Sequence, residues 1–294
     1  ICGCDRIRAR VHAGKLHRPD PRMASRSCWR CGGCDEIRVC TRRAGMSAAG
    51  ELPASPQAAR DARFDCLEAP VPRGAARMRA YLVDRLKRAA IRQLHRSTHG
   101  ERWVLRMYLI GEEATECALN EDWTGQPPDW LAPRIEQHLA DERRHAAAFA
   151  DALRERGVAP STAPHEPDWL SRRKIMRWRR LAQRHAPHFS QGVLVPAYAT
   201  GLCAEQMAMR VLARHCATIG DAHPLYPLLS CVLADETRHV RLCSDTLRRL
   251  VAPSEAAHLA VLLDEIRAIE AGFGVTGALA MVAAGWLQSL RPRT

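Results

Sequence analysis

The chain has 294 residues, 47% of them apolar and 26% charged, a globular composition that excludes a wholly disordered protein. Its formal net charge of +12 would ordinarily point to nucleic acid or an anionic surface. However, lysine occurs only three times and the other 41 basic residues are arginine, so a GC-rich coding bias accounts for much of it. The longest apolar run, residues 275–287, falls short of the roughly 20 residues of a membrane span, and a transmembrane protein is not expected.

Residues 1–74 are rich in Arg, Cys, Gly and Pro and carry no sustained period. Six of the twelve cysteines lie in its first forty residues, at Cys2, Cys4, Cys28, Cys31, Cys34 and Cys40. The two separated Cys-x-x-Cys pairs of a zinc ribbon are missing. The segment reads as a disordered leader, or as sequence upstream of a true start at Met46. No charged-then-apolar secretion pattern opens the chain, and five of the remaining cysteines occupy apolar helical patterns, so a reducing cytoplasm is expected.

From residue 75 the period becomes helical, and residues 75–294 read as one domain. Helices are predicted over 75–95, 101–119, 133–156, 194–218, 224–250 and 254–287, each with apolar residues at three- and four-residue steps. No alternating strand pattern appears, so the expected fold class is all-α. Short connections pair 101–119 with 133–156 and 194–218 with 224–250 as antiparallel hairpins. A long crossover, residues 157–192, contains Pro160, Pro164 and Pro167.

Two of these helices carry a repeat. Leu139-Ala140-Asp141-Glu142-Arg143-Arg144-His145 and Leu233-Ala234-Asp235-Glu236-Thr237-Arg238-His239 agree at six of seven positions. Each contains Glu-x-x-His, and residues i and i+3 share one helical face. Ile135, Leu139, Ala146 and Phe149 surround Glu142, and Leu229, Leu233, Val240 and Cys243 surround Glu236, so both carboxylates point into apolar surroundings. Glu205 sits in a similar setting on 194–218. On 101–119 Glu112 has the matching apolar neighbours, with Glu113 the near alternative. Four buried carboxylates need compensation, because an isolated buried charge costs several kcal/mol or more. Two divalent cations balance them and leave His145 and His239 as neutral ligands.

Glu112, Glu142, His145, Glu205, Glu236 and His239 together resemble the ligand set of the ferritin-like di-iron carboxylate superfamily. The fuller Asp-Glu-x-Arg-His form, present twice, is similar to that of bacterial multicomponent monooxygenases and of a tRNA-modifying di-iron hydroxylase. The resemblance covers about half the chain. It implies a ferritin-like four-helix bundle with a long crossover and flanking helices, holding two iron ions, or manganese and iron. Asp141 and Asp235 would orient the ligand histidines. It further implies an oxidoreductase that activates O2 to hydroxylate, N-oxygenate or desaturate a small-molecule substrate, supplied by an external electron donor. Rubrerythrin-like peroxide reduction and a non-catalytic iron-binding or storage bundle are the alternatives. No membrane partner is expected, and a homodimer is compatible with the pattern.

Weaker signals receive plainer readings. Glu255-x-x-His258 opens a helix and reads as capping. Gly272-x-Gly274-x-x-Gly277 matches a dinucleotide fingerprint by letters alone, with no strand before it. His138, one turn before Glu142, reads as a core histidine before an extra ligand or proton donor. Tyr108, one turn before Glu112, reads as core packing before a hydrogen-bond or proton donor, and Glu116 is a lesser candidate for an additional carboxylate at the site. The basic, Trp-bearing stretch 169–181 reads as an amphipathic crossover helix, with nucleic acid the lesser reading.

Overall fold

A computed structural model describes residues 64–119, 127–161, 165 and 167–289; the cysteines at 2–40 and Met46 lie outside them. Every regular element among the described residues is helical: α1 (Gly74–Leu94), α2 (Thr98–Leu119), α3 (Ala132–Glu155), α4 (Trp169–His185), α5 (Leu194–Ile219), α6 (Tyr226–Leu250) and α7 (Ala256–Ser289). The all-α expectation therefore holds. The packed chain begins upstream of residue 75, since Leu67 is buried and its carbonyl accepts the Gln206 side-chain amide at 2.8 Å.

Local chemistry sets the helix ends. Asp168 caps α4 by accepting the amides of Leu170 and Ser171, and prolines occupy the first turns of α3 and α6, where a missing N–H costs nothing. Gly220 ends α5 at φ +78°, a conformation that favours glycine. Glu255 accepts the amides of Ala252 and Ser190, so its motif serves as a cap. The Gly272, Gly274 and Gly277 triplet lies inside α7.

α2 and α3 are antiparallel, with Arg156 at the end of α3 bound to Glu101 at the start of α2 at 2.7 Å. α5 and α6 form the second hairpin, in which Gly201 faces Cys243. The crossover helix α4 turns Trp178 and Leu181 inward and leaves Arg173, Arg177 and Arg180 exposed. Two apolar clusters result. One gathers Leu105, Leu109, Phe149, Leu153, Leu212, Leu229 and Val232. The other gathers Leu131, Trp178, Leu202, Cys243, Leu247, Leu259 and Leu262. Each fully buried Leu or Phe contributes about 1.5–3 kcal/mol, so the two clusters hold the helix register. Along each of α5 and α6, Glu205 and Glu236 fall between residues belonging to different clusters.

The Pro253–Leu287 stretch is helical, as the period over 254–287 predicts, but its apolar character extends beyond the run 275–287: its most apolar window has a mean hydropathy of 1.5. By length and composition alone it could cross a membrane, because the intervening glycines and Thr276 do not break it.

Close backbone approach explains one further residue. Ser97 Oγ accepts the Gly100 amide, and a methyl group on Gly100 would collide with the Leu94 carbonyl. Gly111, in the same helix, has open space around it. Gly100→Ala is expected to destabilise by about 1–3 kcal/mol through overpacking, whereas Gly111→Ala stabilises by about 0.5–1 kcal/mol through helix propensity. Urea midpoints of the two variants, moving in opposite directions, check this.

Candidate metal centre

The helical period turns Glu112, Glu142, Glu205 and Glu236 into one buried layer with His138, His145 and His239. Two donor groups result, each with atoms within 4.8 Å of one another: His138, Glu142, Glu205 and His239, and Glu112, Glu142, His145 and Glu236. Glu142 belongs to both. All six residues expected from the sequence are brought together, with Glu112 rather than Glu113 in the layer. Glu113 turns away and accepts the His165 amide at 2.7 Å. Glu116 pairs with Arg143 nearer the surface at 2.7 Å.

His138 is the residue the sequence reading undervalued. Its Nε2 lies 3.2 Å from both Glu142 Oε1 and Glu205 Oε1, and its ring packs 4.0 Å, centroid to centroid, from His239. The available signal was its position four residues before Glu142, on the same face. The repeat concealed it, because the corresponding position is Val232.

The two aspartates act across the repeat. Asp235 Oδ2 accepts from His145 Nε2 at 3.0 Å, and Asp141 Oδ2 accepts from His239 Nε2 at 3.3 Å. Arg144 joins them, donating to Asp141 at 2.6 Å and to Asp235 at 2.5 Å. Arg238 also pairs with Asp235. These bonds assign the proton of each imidazole to Nε2 and leave Nδ1 as a bare donor. His145 Nδ1 then faces Glu112 at 3.5 Å and Glu236 at 3.8 Å, and His239 Nδ1 faces Glu142 at 3.3 Å.

Buried and unsatisfied atoms converge here. His138 Nε2, His145 Nδ1, His239 Nδ1, Glu142 Oε1 and Glu236 Oε2 have no hydrogen-bond partner, although buried polar atoms are nearly always paired. Carboxylate oxygens and bare imidazole nitrogens at these separations suit divalent cations, so the residues fit a metal pair. Without cations, protons supply the compensation. Burial, then Glu142 and Glu205, push Glu112 well above the carboxylate range, and burial with Glu205 pushes Glu236 up to about 11. Burial opposes a charge on His239, but Glu205 and Glu236 hold its pKa up at about 11. Burial opposes ionisation of Glu205 too, yet contacts with Glu236, His138 and His239 hold it below its ordinary value.

A smaller group, His95, Glu101 and His223, also has metal-like spacing, but its hydrogen bonds give it another role. His223 Nδ1 accepts the Leu225 amide at 3.2 Å, so its proton sits on Nε2, which faces Glu101 at 3.5 Å. His95 Nδ1 contacts Glu101 at 3.1 Å, His95 Nε2 meets His215 Nε2 at 2.6 Å, and Tyr108 OH reaches His215 Nδ1 at 2.7 Å. Tyr108 therefore belongs to this network, which ties α1, α2 and α5 together.

Comparison of the chain with family models, with curated proteins and with solved structures returns no match.

Two predictions follow from these charges. Glu236 is neutral at pH 7 in the cation-free protein, so Glu236→Gln should leave its thermal midpoint within about 2 °C, a shift of under 1 kcal/mol for a domain of this size. A protonated-carboxyl infrared band should disappear on divalent loading of the unsubstituted chain and be weaker in the cation-free variant, where only Glu112 still contributes. His95, with Arg156 also contributing, lowers the Glu101 pKa to about 2 against the opposing effect of burial. Its contribution to stability is therefore present above the ordinary carboxylate range and lost as pH falls towards 2. Urea midpoints between pH 5 and pH 2 should decline less steeply in Glu101→Gln.

Proposed function

We propose that this chain is a non-haem di-iron oxidoreductase of the ferritin-like carboxylate class, which uses O2 to oxidise a small-molecule substrate. The observation that carries this reading is Glu142, common to two adjoining donor groups: one shared carboxylate between two four-residue groups is what a metal pair needs. Four carboxylates balance two divalent ions, and three imidazoles complete the set without added charge. Oxygen donors with imidazole suit iron, with manganese in one position as the alternative. Two ferrous ions held here would supply two electrons and open coordination positions for oxygen.

The chain's own residues support that chemistry in two ways. Asp141 and Asp235 hold His239 and His145 in the tautomer that leaves Nδ1 bare. Apolar residues adjoining the layer along α5 and α6, Leu202 and Leu212 on one and Leu229 and Leu247 on the other, exclude water. An external electron donor remains part of the reading, since no flavin motif is evident in the sequence. The two donor groups are unequal, one with two histidines and one with a single histidine, which fits two iron positions with different tasks better than uniform storage.

Metal analysis of anaerobically loaded protein tests the assignment. About two iron equivalents per chain are expected. His138→Ala should retain about one, and Glu142→Ala together with Glu236→Ala should retain none. Stoichiometric iron in the double variant would overturn the site. Two equivalents without oxygen uptake under reducing conditions would overturn the oxidase chemistry while leaving the metal centre standing.

A further inference from the structure

The proposed metal chemistry does not use the opposite resource of this molecule, the outer surface of α1 and α7. These helices run side by side in the same direction. Arg267 on α7 donates to the carbonyls of Cys66 and Glu68, just before α1, at 2.7 and 2.9 Å. Further along both helices, Gly285 packs against Gln93 and Ala90. The inward side of the pair is closed by Ala90, Ile91, Leu94 and Ala278, all buried.

The outward side is apolar. Nine of the thirteen large hydrophobic residues exposed among the described residues lie on α1 or the second half of α7, so the exposure is concentrated rather than scattered. Met78, Leu82 and Leu86 repeat at four-residue steps on α1, with Leu82 52% exposed. Val275, Leu279 and Val282 do so at three- and four-residue steps on α7, with Leu279 57% exposed. Residues 271–289 contain no charged side chain.

Charge decides what covers this face. α1 carries Arg77, Arg79, Arg85, Lys87, Arg88 and Arg92 against a single acid, Asp84. That acid is already taken by Arg88 and Arg214, each at 2.7 Å. Arg77, Arg79 and Arg92 are exposed beside the apolar residues. A two-fold pairing of this face with a second copy would bring two arginine-rich surfaces together, which is unfavourable. An apolar stripe bordered by arginines matches an anionic lipid surface instead. Because Ala278 and Gly285 are buried against the protein, α7 presents one side only, which suits a helix lying along a bilayer interface and not one crossing it.

We propose that the outer face of α1 and α7 is a peripheral docking surface for an anionic lipid bilayer. Apolar side chains enter the headgroup boundary, and arginines on α1 meet lipid phosphates and carboxylates. The inference stands apart from the metal assignment and needs no loaded centre.

Sedimentation of the full chain with vesicles tests it. Binding is expected to phosphatidylcholine–phosphatidylglycerol vesicles, weakening as salt rises, with little binding to phosphatidylcholine alone. Leu82→Glu with Leu279→Glu should abolish it. Arg77→Ala and Arg79→Ala should each weaken partitioning roughly fivefold. Circular dichroism and thermal midpoints establish that the variants fold. The arginine variants, at exposed positions, keep the test decisive should the double glutamate variant misfold. Equal binding to both vesicle types, or no binding to either, overturns the proposal. So does a concentration-dependent dimer, seen by sedimentation velocity without vesicle binding and broken by Leu279→Glu, which would assign the face to a second copy.

Discussion

Four carboxylates in one apolar interior impose the constraint around which this molecule is arranged. Glu112, Glu142, Glu205 and Glu236 are each at most 8% exposed, and together they could not remain ionised without opposite charge. A surface cannot supply it, because apolar residues adjoin the layer along α5 and α6. The remaining sources are protons and cations, and the histidines allow either. Proton affinity rises at Glu112, Glu236 and His239 when the layer is left to itself, while the bare nitrogens of His138, His145 and His239 face the positions a metal pair would take. The helix register, set by Leu and Phe packing, therefore also sets the charge chemistry.

That constraint explains why the seven-residue motif must occur twice. Asp141 does not orient His145, its neighbour in the chain; it orients His239, and Asp235 orients His145. A single copy would leave one aspartate without its imidazole and one imidazole free to rotate. Arg144 spans both aspartates and is itself partly exposed, so the exchange is locked at the rim of the layer where arginine stays hydrated. Breaking one aspartate–arginine contact should thus be felt at the histidine of the other helix, a coupling across α3 and α6 that no single-helix reading contains.

Much of this was legible in the residues. Apolar periodicity located the helices to within a few positions, and the environment of each glutamate separated Glu112 from Glu113. Spacing also pointed to the six acidic and imidazole groups that share the buried layer. What escaped notice depended on contacts between distant segments. His138 has no counterpart in the repeat, and only its approach to Glu205 on another helix reveals where it belongs. The crosswise pairing of aspartates likewise requires α3 and α6 to be seen together. Tyr108 looked like packing near Glu112, but His215, more than a hundred residues away, determines its hydrogen bond. The run 275–287 looked too short to matter because the charges of 264–270 interrupt the hydropathy without interrupting the helix.

The same economy accounts for the outer helices. The two hairpins spend their apolar faces enclosing the polar layer, and α4 with the first half of α7 covers one of the resulting clusters. Beyond Glu270, α7 has no remaining core to bury, yet its composition becomes more apolar and not less. A chain selected only for folding would place charges there, as it does on the exposed side of α4. Instead the charges move to α1, which runs alongside, and nearly all of them are positive. An apolar face bordered by basic side chains is not required by packing, since Gly285 against Gln93 and Ala90 already joins the two helices. It is intelligible as a second surface with its own environment, set apart from the one in which the carboxylates are hidden.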